Sequence, residues 1–357
     1  MKICYFLHTL NNRTGVGTLT NSIIDGVKKC SSKISYSVLT SEDYLKPSIF
    51  FILKNWFYIR GEIKKADIVH AFDGYPYGVL AHIISIGTGK PVIITAIGSG
   101  SSQTLKQFNL RAILLQWAYK RSRSVVAISH YVADEIEAVV GISVGVINPG
   151  VDFTFWNGNG PSALDSKVDS LRPYFLTQGE LKERKGYSVL LPMMKDILEN
   201  HPSANYVIVA NTTRNAKYFG ELKNMIEELG LTGRVIFFSD VSAVDLRSLY
   251  QKSTGYVLLP QNINGDVEGF GISILEASAS GVPVVVGKGS GANDAVEDGK
   301  SGFLVDSLNK SEVEGRLTEL LENTTLHTQL SEGAKTWAQK MTWENQAKKY
   351  LDLYEKK

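Results

Sequence analysis

The sequence predicts an α/β protein with two doubly wound domains, each built on a parallel sheet covered by helices. Three observations lead to this fold class. Short, continuous apolar runs alternate with helical patterns, as expected when strands are buried on both faces. This alternating series restarts in the second half of the chain, and 357 residues are too many for one ordinary core.

The first half contains six strand-like runs separated by helical stretches. The helical stretches include 19–29 and 108–120. The predicted strands are Lys2–Phe6, Tyr36–Leu39, Ile68–Ala71, Val92–Thr95, Ser124–Ile128 and Gly145–Ile147.

The second half repeats the pattern after a polar stretch at 157–170, which predicts a linker. We therefore expect domains at 1–157 and 158–340, with a last helix at about 341–357 that packs back on the first domain. The predicted strands are 174–177, 206–209, 235–238, 255–259 and 284–286, and the predicted helices between them are 186–199, 219–229, 243–251 and 272–280.

The composition is that of a globular protein, with 43% hydrophobic and 21% charged residues. A formal net charge of +2 gives no overall attraction to nucleic acid, so we expect no nucleic-acid partner. Two cysteines without a CxxC motif favour a reducing, cytoplasmic setting. The N-terminal apolar run is too short for a signal peptide, and no stretch is long and apolar enough to span a membrane.

The segment from Glu268 to Glu276 is the most informative part of the chain. Gly269 and Gly271 flank Phe270 just before a helical run, and glycines let backbone N–H groups approach a ligand closely. The following helix N-terminus suits an anion such as diphosphate. Two carboxylates about two turns apart can accept hydrogen bonds from two sets of vicinal hydroxyls. The alternative is a glycine turn followed by a helix with two solvated glutamates.

The complete segment resembles the E-x7-E motif of the family 4 retaining glycosyltransferases. The continuation Gly291–Val305 is also similar to the family pattern. Weaker similarities follow in the family's order: the glycine loop at 14–17, the strand at 125–130, and the segments 146–152, 178–186 and 341–343.

This resemblance implies the GT-B fold, in which two Rossmann-like domains face a central cleft. It implies a retaining hexosyltransferase whose donor is a UDP- or GDP-linked sugar and whose acceptor is a glycan or lipid-linked hydroxyl. Glu268 would hold the donor sugar, Glu276 the ribose, and Lys185 the diphosphate. The other implied donor-binding positions are Gly15, Gly17, Gly269, Phe270, Gly271 and Ile272.

The chain departs from the family pattern at two positions. Glu180 stands where the family usually has an arginine that serves the diphosphate, and we expect Arg184 to replace it. Ile97 stands where relatives often carry a histidine near the reacting sugar, and an apolar side chain cannot accept a proton.

Other residues could therefore serve the acceptor side. His8, His70 and His130 all lie at carboxyl ends of predicted strands, where open α/β sheets build their sites. His130 is the preferred catalytic candidate, alongside Glu268 and Lys185, because it follows a strand and opens a helix. For each of these three histidines taken alone, a structural role is the favoured alternative. Ser99 and Ser101 could also contact the acceptor or the phosphates from one loop.

No Asp-x-Asp motif follows a predicted strand, so no carboxylate set for a divalent metal is evident. We expect no metal and no cofactor, with the nucleotide sugar as co-substrate. Side-chain cations and the helix N-terminus would supply the positive charge.

Two basic, aromatic stretches at 46–65 and 106–123 match helices that lie on an anionic bilayer. The alternative is two ordinary amphipathic helices that cover the sheet. We expect a cytoplasmic protein with peripheral contact to the membrane through these stretches.

Three other functions remain open at this point. A UDP-sugar epimerase uses the same fold but needs further acid and base groups. An NAD-dependent dehydrogenase is disfavoured because 14–17 does not continue as G-x-G-x-x-G. A non-catalytic sugar-nucleotide-binding subunit is compatible with Ile97 and Glu180.

Overall fold

The computed structural model describes residues 1–11, 14–46, 48–98, 100–107 and 109–356. The chain divides into two compact units, Met1–Gly150 with Trp343–Lys357, and Val151–Thr342. Within the described residues, each unit contains one six-stranded sheet in which all strand pairs are parallel. The predicted α/β fold class is confirmed.

The first unit has the strand order β2-β1-β3-β4-β5-β6. Strands β3 and β4 are buried along their whole length, which explains their continuous apolar sequences. The elements are β1 Lys2–Leu7, α1 Gly15–Cys30, β2 Ser35–Thr40, α2 Ile49–Lys65, β3 Ile68–Phe72, α3 Val79–Ser85, β4 Val92–Ala96, α4 Leu110–Arg121, β5 Ser124–Ala127, α5 His130–Val140 and β6 Gly145–Val146. Short helical segments also lie at Gly74–Gly78 and Gln103–Lys106.

The second unit has the order β12-β11-β10-β7-β8-β9, including an edge strand, β12, that was not predicted. Its elements are α6 Phe153–Trp156, α7 Asp165–Asp169, β7 Tyr174–Gln178, α8 Tyr187–Asn200, β8 Asn205–Val209, α9 Ala216–Glu228, β9 Val235–Phe238, α10 Ala243–Gln251, β10 Gly255–Leu258, α11 Ile272–Ala279, β11 Val284–Gly287, β12 Gly302–Val305, α12 Lys310–Glu322 and α13 Thr324–Lys340.

The final helix, α14 Trp343–Glu355, belongs to the first unit, where it packs against α1. A Cβ added at Gly26 of α1 would lie 2.8 Å from Ala347 Cβ, so the glycine permits this close helix contact. On the sheet side, the Tyr354 hydroxyl lies 2.7 Å from His70 Nδ1. Tyr350 and Tyr354 are both buried.

The polar stretch at 157–170 is more ordered than a linker. It contains α7, and Asp165 accepts a hydrogen bond of 2.6 Å from Ser248 of α10 and forms an ion pair of 2.9 Å with Lys252. Residues 151–157 also group with the second unit, so the division falls seven residues before the predicted one. Side-chain partners, which composition does not reveal, fix this segment.

Candidate active site

The most buried ion pairs of the second unit lie at the carboxyl end of its sheet. Glu268 is only 7% exposed and forms ion pairs with Lys185, at 2.7 Å, and with Arg184. Arg184 also lies 3.5 Å from Asp266. Burial would raise the pKa of Glu268, but the charges of Lys185 and Arg184 outweigh it and hold the pKa below its usual value. The carboxylate is therefore ionised at neutral pH.

Backbone geometry places Lys185 in this cluster. The residue ends a short 3-10 turn after β7, and its side chain runs over Gly179. Gly186 follows with φ of +75°, and a Cβ there would lie 1.8 Å from the carbonyl oxygen of Leu259. Only glycine fits this position, so Gly186 directs the chain from the turn into α8.

Gly271 forms the entrance to α11. It has φ of +83° and is the residue just before the helix, which begins at Ile272. The side chain of Phe270 is 2% exposed and belongs to the core, so a ligand can meet only its backbone. Gly269 is partly exposed beside it. The first turn of α11 thus begins only four residues after Glu268.

Glu276 occupies a different environment from Glu268. Its carboxylate lies near the Tyr250 hydroxyl at 3.2 Å, and burial raises its pKa to about 7 despite that hydrogen bond. The two glutamates thus differ in charge near neutral pH, which the sequence pattern did not distinguish. Tyr250 was not predicted; it lies in α10, and its helical spacing gave no sign of a polar role.

Glu180, which stands where the family usually has an arginine, and Arg184, its expected replacement, have different ion-pair partners. The Glu180 side chain points to Arg214 and Lys182, with distances of 3.1 and 2.8 Å, and is exposed. Its charge is compensated by these two cations. Arg184, in contrast, lies with Lys185 on Glu268, where the arrangement brings together two cations and one of the predicted glutamates.

The glycines near the N-terminus differ from the expected loop. Gly15 and Gly17 lie in the first turn of α1, which begins four residues before the predicted helix. A Cβ at Gly17 would lie 2.0 Å from the Asn11 carbonyl oxygen, so this glycine is required for packing. An added Cβ at Gly15 meets no described atom within 4 Å, so space remains there.

The histidine candidates of the first unit separate into two groups. His70 is fully buried, and both ring nitrogens are engaged, with Tyr354 at 2.7 Å and Thr95 at 2.8 Å. The expectation that His70 contacts the acceptor is wrong, because the side chain points into the core rather than to the strand end. Burial also lowers its pKa to about 3, so it stays neutral.

His8 and His130 are exposed. His8 Nδ1 lies 3.0 Å from the Tyr77 hydroxyl and 2.9 Å from Ser41 Oγ. His130 is the first residue of α5, which Ser129 caps, as its position after a strand predicted. Ile97, in the slot of the family histidine, is 9% exposed. Ser99 lies outside the described residues.

A carboxylate that sequence reasoning missed lies beside Ser101. Ser101 is fully buried and donates a short hydrogen bond to Asp73 Oδ1, which also accepts from the Gly74 N–H at 2.9 Å. The available signal was the Asp-Gly pair at 73–74, which begins two residues after the end of the predicted strand 68–71. We name Asp73, Ser101, His8, Tyr77 and Ser41 the strand-end cluster of the first unit.

Neither a metal centre nor a membrane span is evident in the part of the chain that the structure describes. No group of three or more His, Cys, Asp or Glu side chains there is placed to hold a metal ion. No helix among the same residues is long and apolar enough to cross a bilayer.

The two parallel six-stranded sheets and their helices have the GT-B fold of the glycosyltransferases. The model for "Glycosyltransferase Family 4" matches residues 33–155, and the model for "Glycosyl transferases group 1" matches residues 165–337. Together the two matches span most of the chain, and the protein belongs to this glycosyltransferase family.

Curated relatives and a solved structure are consistent with this family. The chain is 28% identical to D-inositol 3-phosphate glycosyltransferase of Corynebacterium jeikeium over 60% of its own length and 52% of the relative's. It is 30% identical to the GDP-mannose-dependent alpha-(1-6)-phosphatidylinositol monomannoside mannosyltransferase of Mycolicibacterium smegmatis, over 47% and 43% of the two chains. The matches thus span about half the length of these relatives. HepE of Anabaena, crystallised with UDP, shares the fold with a TM-score of 0.82 and 19% identity over 99% of both chains.

Proposed function

We propose that this protein is a retaining glycosyltransferase that moves a hexose from a UDP- or GDP-linked donor to a hydroxyl of a glycan or lipid-linked acceptor. The observation that carries the proposal is the buried cluster in which Arg184 and Lys185 both contact Glu268 before the N-terminus of α11. Two cations and a helix N-terminus suit a diphosphate. The GDP-mannose-dependent relative, and HepE with its bound UDP, support a nucleotide-sugar donor.

Donor binding would exchange the partners within the cluster. The ammonium of Lys185 and the guanidinium of Arg184 would form ion pairs with phosphate oxygens instead of with Glu268. Glu268 would then accept hydrogen bonds from hydroxyls of the sugar. Charge on the leaving diphosphate grows as the glycosidic bond breaks, so the two cations would stabilise the transition state more than the bound donor. Glu276 would accept from the ribose hydroxyls.

The test is a thermal-shift panel of UDP-glucose, GDP-mannose and ADP-glucose. A donor present at a hundred times its dissociation constant adds about 2.7 kcal/mol of stability. Lys185→Ala should abolish the shift. Lys182→Ala is the matched control, because Lys182 lies in the same loop but pairs with the exposed Glu180. No shift with any nucleotide sugar would contradict the proposal.

Product analysis separates the proposed activity from its alternatives. Proton NMR of the first sugar released or transferred should show the anomeric configuration of the donor. UDP-ManNAc formed from UDP-GlcNAc without acceptor would instead identify an epimerase. Donor binding with neither hydrolysis nor transfer would identify a non-catalytic subunit.

We propose further that the first unit contacts an anionic membrane through α2. Phe50, Leu53 and Phe57 are 78%, 63% and 88% exposed, and their spacing places them on one helix face. Ile59 and Ile63 of the same helix are fully buried, so α2 is apolar on two sides. Lys54, Lys64 and Lys65 are exposed and complement an anionic surface.

Helix α4 adds a smaller surface of the same kind. Leu110 and Ile113 are 67% and 64% exposed, and Arg111, Lys120 and Arg121 are exposed on the same helix. Flotation with phosphatidylglycerol vesicles should carry the protein, and Phe50→Ser with Phe57→Ser should prevent it. Leu308→Ser is the control, because Leu308 is 73% exposed in the second unit. Binding unaffected by the double substitution would contradict the proposal.

A further inference from the structure

Asp73 lies where an open α/β sheet places its ligands. It directly follows β3, and β3 pairs with β1, while β2 lies on the far side of β1. The chain therefore continues from β1 to β2 on one side and then crosses to β3 on the other side of β1, so the strand order reverses between β1 and β3. The crevice at the carboxyl ends of two such strands is the expected binding position of the fold.

One oxygen of Asp73 is held rigidly and the other is available. Oδ1 accepts from Ser101 Oγ and from the Gly74 N–H. Among the described residues, no hydrogen bond or ion pair to Oδ2 is found. A Cβ at position 100 would lie 2.3 Å from Oδ2, so Gly100 keeps the space beside this oxygen open.

Asp73 has an unfavourable backbone conformation, and its buried surroundings disfavour an ionised carboxylate. Its φ is +84°, a region that non-glycine residues seldom adopt and that concentrates at functional sites. Burial raises the pKa of its carboxyl to about 6, although Ser101 and Gly74 donate to it. Capping of the segment Gly74–Gly78 explains the contact of Oδ1 with the Gly74 N–H but leaves Oδ2 unexplained.

Neighbouring groups extend this position into a polar surface. The Tyr77 hydroxyl contacts His8 Nδ1 at 3.0 Å, and Ser41 Oγ contacts the same nitrogen at 2.9 Å. Burial and the charge of Asp73 both raise the pKa of Tyr77, with a hydrogen bond from Ser41 acting against them. Hydroxyls, an imidazole and a carboxylate thus lie together at the carboxyl end of this sheet. Such groups bind a polyhydroxyl ligand.

We propose that Asp73 binds the acceptor, with Oδ2 accepting a hydrogen bond from a hydroxyl of a saccharide. The inference rests on the proposed glycosyltransferase function and names the chemical class of the acceptor. Ser101 is a positioning residue that holds the carboxylate, and His8 and Tyr77 form the adjoining wall. The residue orients the acceptor and takes no proton in this proposal.

Asp73→Asn is the sharpest substitution, because asparagine tolerates a positive φ and keeps an oxygen for Ser101 and Gly74. The assay measures transfer from the most stabilising nucleotide sugar to octyl α-mannoside, octyl β-glucoside and free disaccharides. The acceptor KM should rise about tenfold or more, as expected for a lost hydrogen bond to a charged group. The donor KM and the donor-induced thermal shift should stay within about twofold of the wild type, because the variant leaves the second unit unchanged.

Asp67→Asn is the matched control, since Asp67 is exposed at the opposite end of β3 and should leave both KM values unchanged. Ser101→Ala should raise the acceptor KM in the same direction, which gives a second measure if Asp73→Asn folds poorly. A wild-type acceptor KM in both variants overturns the proposal. So does a wild-type enzyme that hydrolyses its donor but transfers to no saccharide. A wild type that binds no nucleotide sugar instead refutes the proposed function on which the inference rests.

Discussion

At the scale of single residues, the charges around Glu268 form the proposed donor position of the second unit. Lys185 is 8% exposed, so few water molecules could solvate its ammonium if the ion pair with Glu268 were broken. An incoming dianion offers a new partner for Lys185 and Arg184 at once. Separation of this cluster without a ligand would leave buried charges unpaired, which costs several kcal/mol.

Arg184→Ala should reduce kcat/KM for the donor by about 100-fold, a typical loss when one group that stabilises the leaving charge is removed. Steady-state kinetics measure this directly. Arg214→Ala is the control, because Arg214 is exposed and pairs with Glu180 at 3.1 Å. Near-wild-type turnover in Arg184→Ala would show that this arginine does not replace the family residue.

Glu276 should make nucleotide affinity depend on pH. Its pKa is raised to about 7. Both oxygens of the ionised carboxylate accept hydrogen bonds, so two donating ribose hydroxyls bind the carboxylate form in preference to the protonated form. Affinity should therefore increase as pH rises from about 6 to 8 and level off above, since the proton is then already lost. Titration calorimetry across this range measures the slope, and Glu276→Gln should flatten it. A slope that persists in the variant would assign it to another group.

At the scale of elements, the backbone conformation just before α11 shapes the proposed donor position. Gly271 holds φ of +83°, and a Cβ there would lie 2.8 Å from Ile274 Cδ1. The glycine therefore allows the turn from the loop that carries Glu268 into the first turn of the helix. The sequence pattern predicted this helix to within one residue of its end, because the glycine pair marks its beginning.

Gly271→Ala should lower stability by about 1 kcal/mol or more and weaken donor binding, because both the positive φ and the contact with Ile274 oppose a methyl group. The midpoint of thermal unfolding, with and without nucleotide, tests both effects. Gly220→Ala is the control within α9. An added Cβ at Gly220 meets no described atom within 4 Å, so this change should stabilise by about 0.5–1 kcal/mol. Equal effects of the two substitutions would contradict a special role for Gly271.

Other elements were less accessible to sequence reasoning. Helix α1 begins at Gly15, within the segment interpreted as a glycine loop, because Thr14 caps it by accepting from the Gly17 N–H at 3.1 Å. A capping threonine before two glycines does not distinguish a helix start from a loop. The short helix α7 was likewise not evident in the polar sequence, since its order depends on Ser248 of α10 and on Lys252, the residue after α10.

At the scale of the whole molecule, side-chain cations rather than a metal are expected to balance the diphosphate. Lys185 and Arg184 supply two positive charges at the proposed donor position. Transfer activity should therefore survive dialysis against EDTA at nearly its original rate. An assay with EDTA and then with added magnesium tests this prediction. Loss of activity on chelation, restored by magnesium, would refute it.

The sequence by itself determined the α/β class, the two sheets and the glutamate pair, because buried parallel strands require continuous apolar runs and a close backbone approach requires glycine. Only the tertiary structure decided which polar groups serve which purpose. His70 and Asp73 lie three residues apart at the end of the same strand. The alternation of side chains and the packing of α14 bury His70 against Tyr354, whereas the turn after β3 leaves one oxygen of Asp73 open. Such differences depend on partners distant in sequence, which a local pattern does not contain.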